Sequence, residues 1–305
     1  MINYGVSLQT LTNEISRLGA KGNIAWWRKA YKQYNWAIKN KKHDAKNEYW
    51  SSIKTAYINL QYSKCIYCEK PLAIGRGENI DYDMEHYRPK SRVEPWPDTV
   101  VQKRMGLRSA LKSGKAGGYP ELAHHPLNFA ASCKICNSPN KHDHFPIAGN
   151  SPLVETGIIR LNAAEKPFIP LPLGEWGEDP EMILDYDGFI CIAKPGTAPA
   201  TIRRAKVIID FFELNLRPDL LLGRATKVAT VWDCLEECRA PNLAKDAGEA
   251  KQWLNAQISD ASAFAATARA FVRQYGFDRA HARQLATLAK KYAVTHAAEL
   301  EQRLL

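Results

Sequence analysis

The chain has 305 residues, 45% of them hydrophobic and 24% charged, enough to bury the core of one large domain or two ordinary ones. Its formal net charge of +10 (42 Lys+Arg against 32 Asp+Glu) points toward polyanionic partners. No apolar run approaches the roughly 18 residues of a membrane helix. The opening MINYGVSLQT has neither the basic nor the apolar stretch of a secretory signal, so the expected setting is cytoplasmic, with no membrane partner.

Residues 8–62 carry apolar positions at helical spacing with few breakers after Gly22, which predicts an N-terminal helical segment over 1–62. There Trp26, Trp27, Tyr31, Tyr34 and Trp36 are interleaved with Arg28, Lys29, Lys32, Lys39, Lys41 and Lys42. That mixture suits a nucleic-acid backbone with exposed bases, but for this segment an amphipathic helix with its rings inward is the favoured reading. Residues 63–150 read as a second unit: CIYC, the turn-rich GRGEN, then the strand-like IDYDMEHY.

An insertion over 93–126 follows, with a basic, helix-like QKRMGLRSALKSGK that reads as a flap. Residues 86–118 hold eight basic side chains, among them Arg88, Lys90, Lys103, Arg104 and Arg108, against Glu94 and Asp98. LNFAASCKICN then predicts a strand or turn running into a second CxxC. Residues 151–197 form a Pro/Gly-rich wrap that closes on a hairpin, ILDYDGFICIA, with Asp187-Gly188 at its turn. From about 198 the chain is helical to the end, punctuated by Pro218 and Pro241, and this region could dock a partner.

Cys65-x-x-Cys68 and Cys133-x-x-Cys136 carry the strongest chemical signal. A CxxC turn aims two thiolates at one cation, and two such turns complete a tetrahedron, so the pattern predicts Zn2+ on four cysteines. Four thiolates leave no open position, and such a zinc is structural. Cys191 falls on the predicted hairpin, and Cys234 and Cys238, four apart on a helix, read as packing residues.

Between the CxxC pairs lie Glu85-His86 and Leu127-Asn128-Phe129, with Asn137 directly after the last cysteine. The ordered set CIYCE, MEHYRPKS, LNFAAS, CKICNSPNK resembles the HNH endonuclease superfamily over about residues 64–146. Within it, the chain looks most like the PtuB-type nucleases of Septu and retron-associated phage-defence systems.

The resemblance implies an α+β, mainly α fold: a zinc-stapled ββα-metal core embedded between N-terminal and C-terminal helical regions. It implies a nuclease acting on nucleic acid, DNA by expectation, beside a partner ATPase of the ABC/SMC type. His86 would be the general base, because a neutral imidazole can take a proton from water. Asn128 would orient His86. Glu85 and Asn137, or His142 in place of Asn137, would hold a catalytic Mg2+ or Mn2+. Arg88, Lys90 and Lys141 would contact phosphate, with Lys103, Arg104 and Arg108 gripping the nucleic acid from the flap. Two alternatives stay open: a zinc-stapled binding module that does not cut, and an RNA-cleaving enzyme of the same superfamily.

Overall fold

A computed structural model describes residues 1–18, 23–46, 48–73, 81–152, 157–171, 173–174, 177–239 and 244–304. The GRGEN turn and Pro241 lie outside these residues. The fold is α+β and mainly helical. Helices α1 (Leu8–Leu18), α2 (Asn23–Asn40) and α3 (Lys54–Leu60) precede strand β1 (Tyr82–His86), then α4 (Thr99–Met105) and strand β2 (Phe129–Cys133). After these come α5 (Ile158–Glu165), the hairpin β3 (Leu184–Asp187) and β4 (Ile190–Ala193), α6 (Pro199–Phe211) and α7 (Pro218–Arg239). The last three helices are α8 (Ala244–Ile258), α9 (Ala265–Phe277) and α10 (Arg279–Leu304).

The alternation in YDMEH makes β1, which pairs antiparallel with β2 so that Tyr82 faces Cys133, Glu85 faces Ala130 and His86 faces Phe129. All five residues of β2 are buried, so its outer side needs a cover. Gln61 supplies it: its amide nitrogen donates to the Ala131 carbonyl at 2.8 Å, and its oxygen accepts from the Ala131 N–H at 2.8 Å. A side-chain amide thus stands in for a neighbouring strand. Past Cys133 the backbone winds into a six-residue π-helical turn, Cys136–Lys141, which packs against the β1–β2 pair.

One core cluster joins the N-terminal helices, the cysteine-bearing segments, the β3–β4 hairpin and α6. A smaller one, centred on Val228, Trp232, Phe271 and Ala286, lies among α7, α9 and α10. The hairpin turn places Gly188, at φ +56°, first in a two-residue loop, which explains the glycine there.

The basic insertion differs from expectation. Its helix stops at Met105, because Gly106 takes the left-handed conformation and caps it, well short of Lys115. Beyond it the chain is tied to the core rather than standing off as a flap. Leu111 N donates to Trp96 O, Gly114 N to Phe145 O and Tyr119 N to Pro89 O, each at 2.8–3.0 Å.

Arg88 is a second correction. It is fully buried, not placed to meet a phosphate. Its guanidinium donates to Glu165 at 3.0 Å and to Asn162 at 2.8 Å and lies 4.9 Å from the centre of the Phe145 ring. Glu165, equally buried, also accepts from Tyr119 Oη at 2.5 Å and Ser151 Oγ at 2.7 Å. The pair bolts the turn after β1 to α5. Truncation to Arg88→Ala leaves the Glu165 carboxylate buried without its cation, so urea denaturation should report a loss of about 3–5 kcal/mol.

Candidate functional site

The CxxC turns meet beneath the β1–β2 pair. Cys65, Cys68, Cys133 and Cys136 are all buried, and their sulfurs lie within 4.8 Å of one another. Cys68 Sγ and Cys133 Sγ are 3.8 Å apart. That is far too long for a disulfide and close to the edge of about 3.8 Å expected of a zinc tetrahedron with Zn–S near 2.3 Å. The four thiols therefore fit a structural metal such as zinc.

Arg217, at the start of α7, donates to Cys136 Sγ at 3.2 Å and contacts Cys133 Sγ at 3.9 Å, while Asp219 accepts from it at 2.9 Å. Burial alone would weaken its charge, but the Cys136 and Cys68 thiolates outweigh this and raise its pKa. A tetrathiolate zinc carries two negative charges, and a guanidinium on its sulfurs offsets part of them. Backbone also contributes, since Cys133 N donates to Cys65 Sγ at 3.3 Å.

His86 ends β1 and is buried between two rings, edge-on to Trp50 at 4.7 Å and to Phe129 at 4.9 Å. Its Nε2 is 3.1 Å from the Ala123 carbonyl oxygen, which can only accept. Nε2 therefore carries the proton, and Nδ1 keeps the lone pair a base needs. Burial, reinforced by Lys90, holds the imidazole well below its usual pKa and so neutral.

Asn128 does not take the orienting role expected of it. Its amide donates to Arg88 O (3.0 Å) and Leu122 O (3.1 Å) and accepts from Arg88 N (2.8 Å). It ties the turn after His86 to the segment that ends at Ala123, and it acts on His86 through backbone rather than by touching the ring.

A cleft of about 280 Å³ opens at the end of β1, lined by Glu85, His86, Lys90, Asn137 and His142, among others. The chain bends directly after His86, so neighbours from opposite sides of the strand both border it. Glu85 is buried; burial lifts its carboxyl to about 7, against the opposing pull of Lys141. Its Oε1 lies 3.2 Å from Lys141 Nζ in a buried ion pair. Asn137 donates weakly to Asp83 at 3.4 Å.

Lys90 reaches over Trp50, its ammonium 4.4 Å from the ring centre and 3.6 Å from Glu48, and stays part exposed. Lys141, by contrast, is fully buried against Glu85, away from any surface phosphate. Lys103 and Arg108 are exposed, and Arg104 is paired with Asp210 at 2.9 Å. In α2 the aromatic residues divide: Trp26 is core, whereas Tyr31 and Tyr34 face outward. His142 leans toward Glu94, with Nδ1 3.6 Å from its carboxylate.

Three contributors escaped the sequence reading: Trp50, the Ala123 carbonyl and Arg217. The first had a visible signal, a tryptophan beside the expected core, but nothing tied it to His86. The second is a backbone atom without one.

No family model matches the chain, and no curated protein or solved structure matches it either. Fold and site define an α+β, mainly helical chain with a buried four-cysteine cluster suited to a structural metal and a cleft at the end of β1. Among the described residues no helix is long and apolar enough to cross a membrane.

Substitution Cys133→Ser should strip the metal from the thiol site and lower the unfolding temperature, as metal analysis and calorimetry would record. Cys234→Ser, on α7 away from the cluster, should leave metal content unchanged.

Proposed function

We propose that this chain is a metal-dependent endonuclease of the HNH type that hydrolyses phosphodiester bonds, DNA being the expected substrate. One observation carries the reading: a neutral histidine with its protonated nitrogen fixed by a carbonyl shares a cleft with a carboxylate, an amide and a lysine. Hydrolysis of a phosphodiester needs a base for water, a cation for the scissile phosphate and positive charge for its oxygens.

His86 Nδ1 accepts the water proton, and the Trp50 and Phe129 rings hold the imidazole in place. Lys90 lies at the cleft to meet phosphate oxygens. Glu85 and Asn137 are the oxygen donors for Mg2+ or Mn2+, which when bound supplies Lewis-acid chemistry at the phosphate. Lys141 neutralises Glu85 in the absence of that charge. Exposed Lys103 and Arg108 extend the positive surface outward. The resemblance extends the proposal to an antiviral effector working beside an ABC/SMC-type ATPase.

The Lys141 contact also favours a second reading. An ammonium already satisfies the Glu85 charge, as it would in a zinc-stapled binding module that never cuts. The two readings separate on plasmid and RNA substrates offered with Mg2+ or Mn2+. Under the nuclease reading, His86→Ala keeps its thiol-bound metal and loses about 10²- to 10⁴-fold in cleavage rate. Cleavage undiminished in that variant, or binding with no cutting under any divalent ion, sinks it. Converting Lys103 and Arg108 to Glu should weaken binding uniformly across sequences and flatten the salt dependence, as titrations at several salt concentrations would reveal.

A further inference from the structure

Apart from the four thiols, one other group of His, Cys and acidic side chains among the described residues brings its ligand atoms within 4.8 Å: Glu94, His142 and His144. We propose that these three form a second metal site, for a divalent transition ion such as Zn2+, open to solvent at the rim of the cleft. The proposed reaction makes no use of this ion.

Backbone locks the three residues together before any ion arrives. Glu94 pairs with His144 in an isolated parallel bridge, Glu94 N donates to Asp143 O at 3.0 Å, and His144 N donates to Lys141 O at 2.8 Å. His142 precedes His144 by two residues at φ +41° and ψ −130°, a backbone region that few non-glycine residues adopt, held by its N–H donating to Asn137 O at 2.6 Å.

The side chains are set for ligation. His144 Nδ1 lies 3.2 Å from the Glu94 carbonyl oxygen and must donate to it, which leaves Nε2 with the lone pair. An imidazole oriented by a backbone carbonyl is the usual arrangement of a metal-binding histidine. His142 Nδ1 is 3.6 Å from Glu94 Oε2, beyond a good hydrogen bond. Two donors sharing a tetrahedral zinc, each about 2.1 Å from it, sit about 3.4 Å apart.

Both signs of charge lie nearby. Glu94 and Asp143 carry two carboxylates, and Arg92 bridges them, 3.3 Å from the first and 2.6 Å from the second. Asp143 lies 4.0 Å from His142 Nδ1 and is held by Arg92, outside the set of three. Two imidazoles and one carboxylate favour zinc or a similar ion over Mg2+, and three ligands leave a position for water or a phosphate oxygen. A dication here would add positive charge to the rim beside Lys90. It would also commit His142 to this site rather than to the Glu85 donors.

Zinc titration of the full chain, with no nucleic acid present, tests the proposal. Treatment with EDTA should leave one zinc per chain at the buried thiols, because the outer ligands are accessible and those are not. Calorimetry with Zn2+ alone should then record one further equivalent, absent in the His142→Gln/His144→Gln double variant. Glu94→Gln should weaken that equivalent at least about tenfold. Co2+ added in its place should give visible bands without a thiolate charge-transfer band. The thiol zinc retained in each variant reports that it is folded. No second equivalent in the wild type, or an undiminished one in the double variant, overturns the site. His86→Ala should bind both ions, so this outcome and that of the cleavage assay are read separately.

Discussion

Four thiols converging within 4.8 Å are the constraint on which the rest of the structure hangs. They join a turn at 65–68 to a strand end at 133–136, and in doing so align β1 beside β2 and place His86 opposite Phe129. They also reach the C-terminal helices, because Arg217 donates to Cys136 and anchors the start of α7. Concentrated negative charge in a dry interior must be answered, and a buried guanidinium answers it across 81 residues of sequence. Arg217 thus ties the thiol cluster to the start of the helical half.

The cleft is built by a different rule. Around His86 the surroundings are aromatic and mostly buried, which keeps the imidazole neutral; one residue earlier, Glu85 is buried with an ammonium at 3.2 Å. Adjacent positions of one strand thus hold an uncharged imidazole and a carboxyl whose pKa is lifted to about 7. The environments differ because the strand ends there: Trp50, Phe129 and the Ala123 carbonyl enclose one side, and the turn carrying Lys141 closes the other.

What was legible in the sequence followed from local chemistry. The CxxC spacings, the strand-like run IDYDMEHY and the glycine after Asp187 each impose a short-range geometry, and the structure has the thiol cluster, a strand at Tyr82–His86 and the turn. What stayed hidden depended on distant partners. Arg88 looked like a surface cation because Glu165, its partner, lies 77 residues on. Lys141 read the same way until Glu85 folded onto it. Asn128 was expected to touch His86, and it holds backbone instead, because a buried amide satisfies carbonyls and N–H groups wherever they face it. QKRMGLRSALKSGK read as one helix on composition, yet a single left-handed glycine ended it at Met105.

Gln61 has a consequence for association. A two-stranded sheet ordinarily presents unpaired backbone on its outer side, which invites another chain to extend it. At Ala131 both backbone groups are already taken by the Gln61 amide, and the Ala131 carbonyl also accepts from Ile66 N at 3.0 Å. A visiting strand would find no docking register in the middle of β2. Gln61 therefore closes this edge to strand addition at Ala131, with a single side chain doing what a third strand would otherwise do.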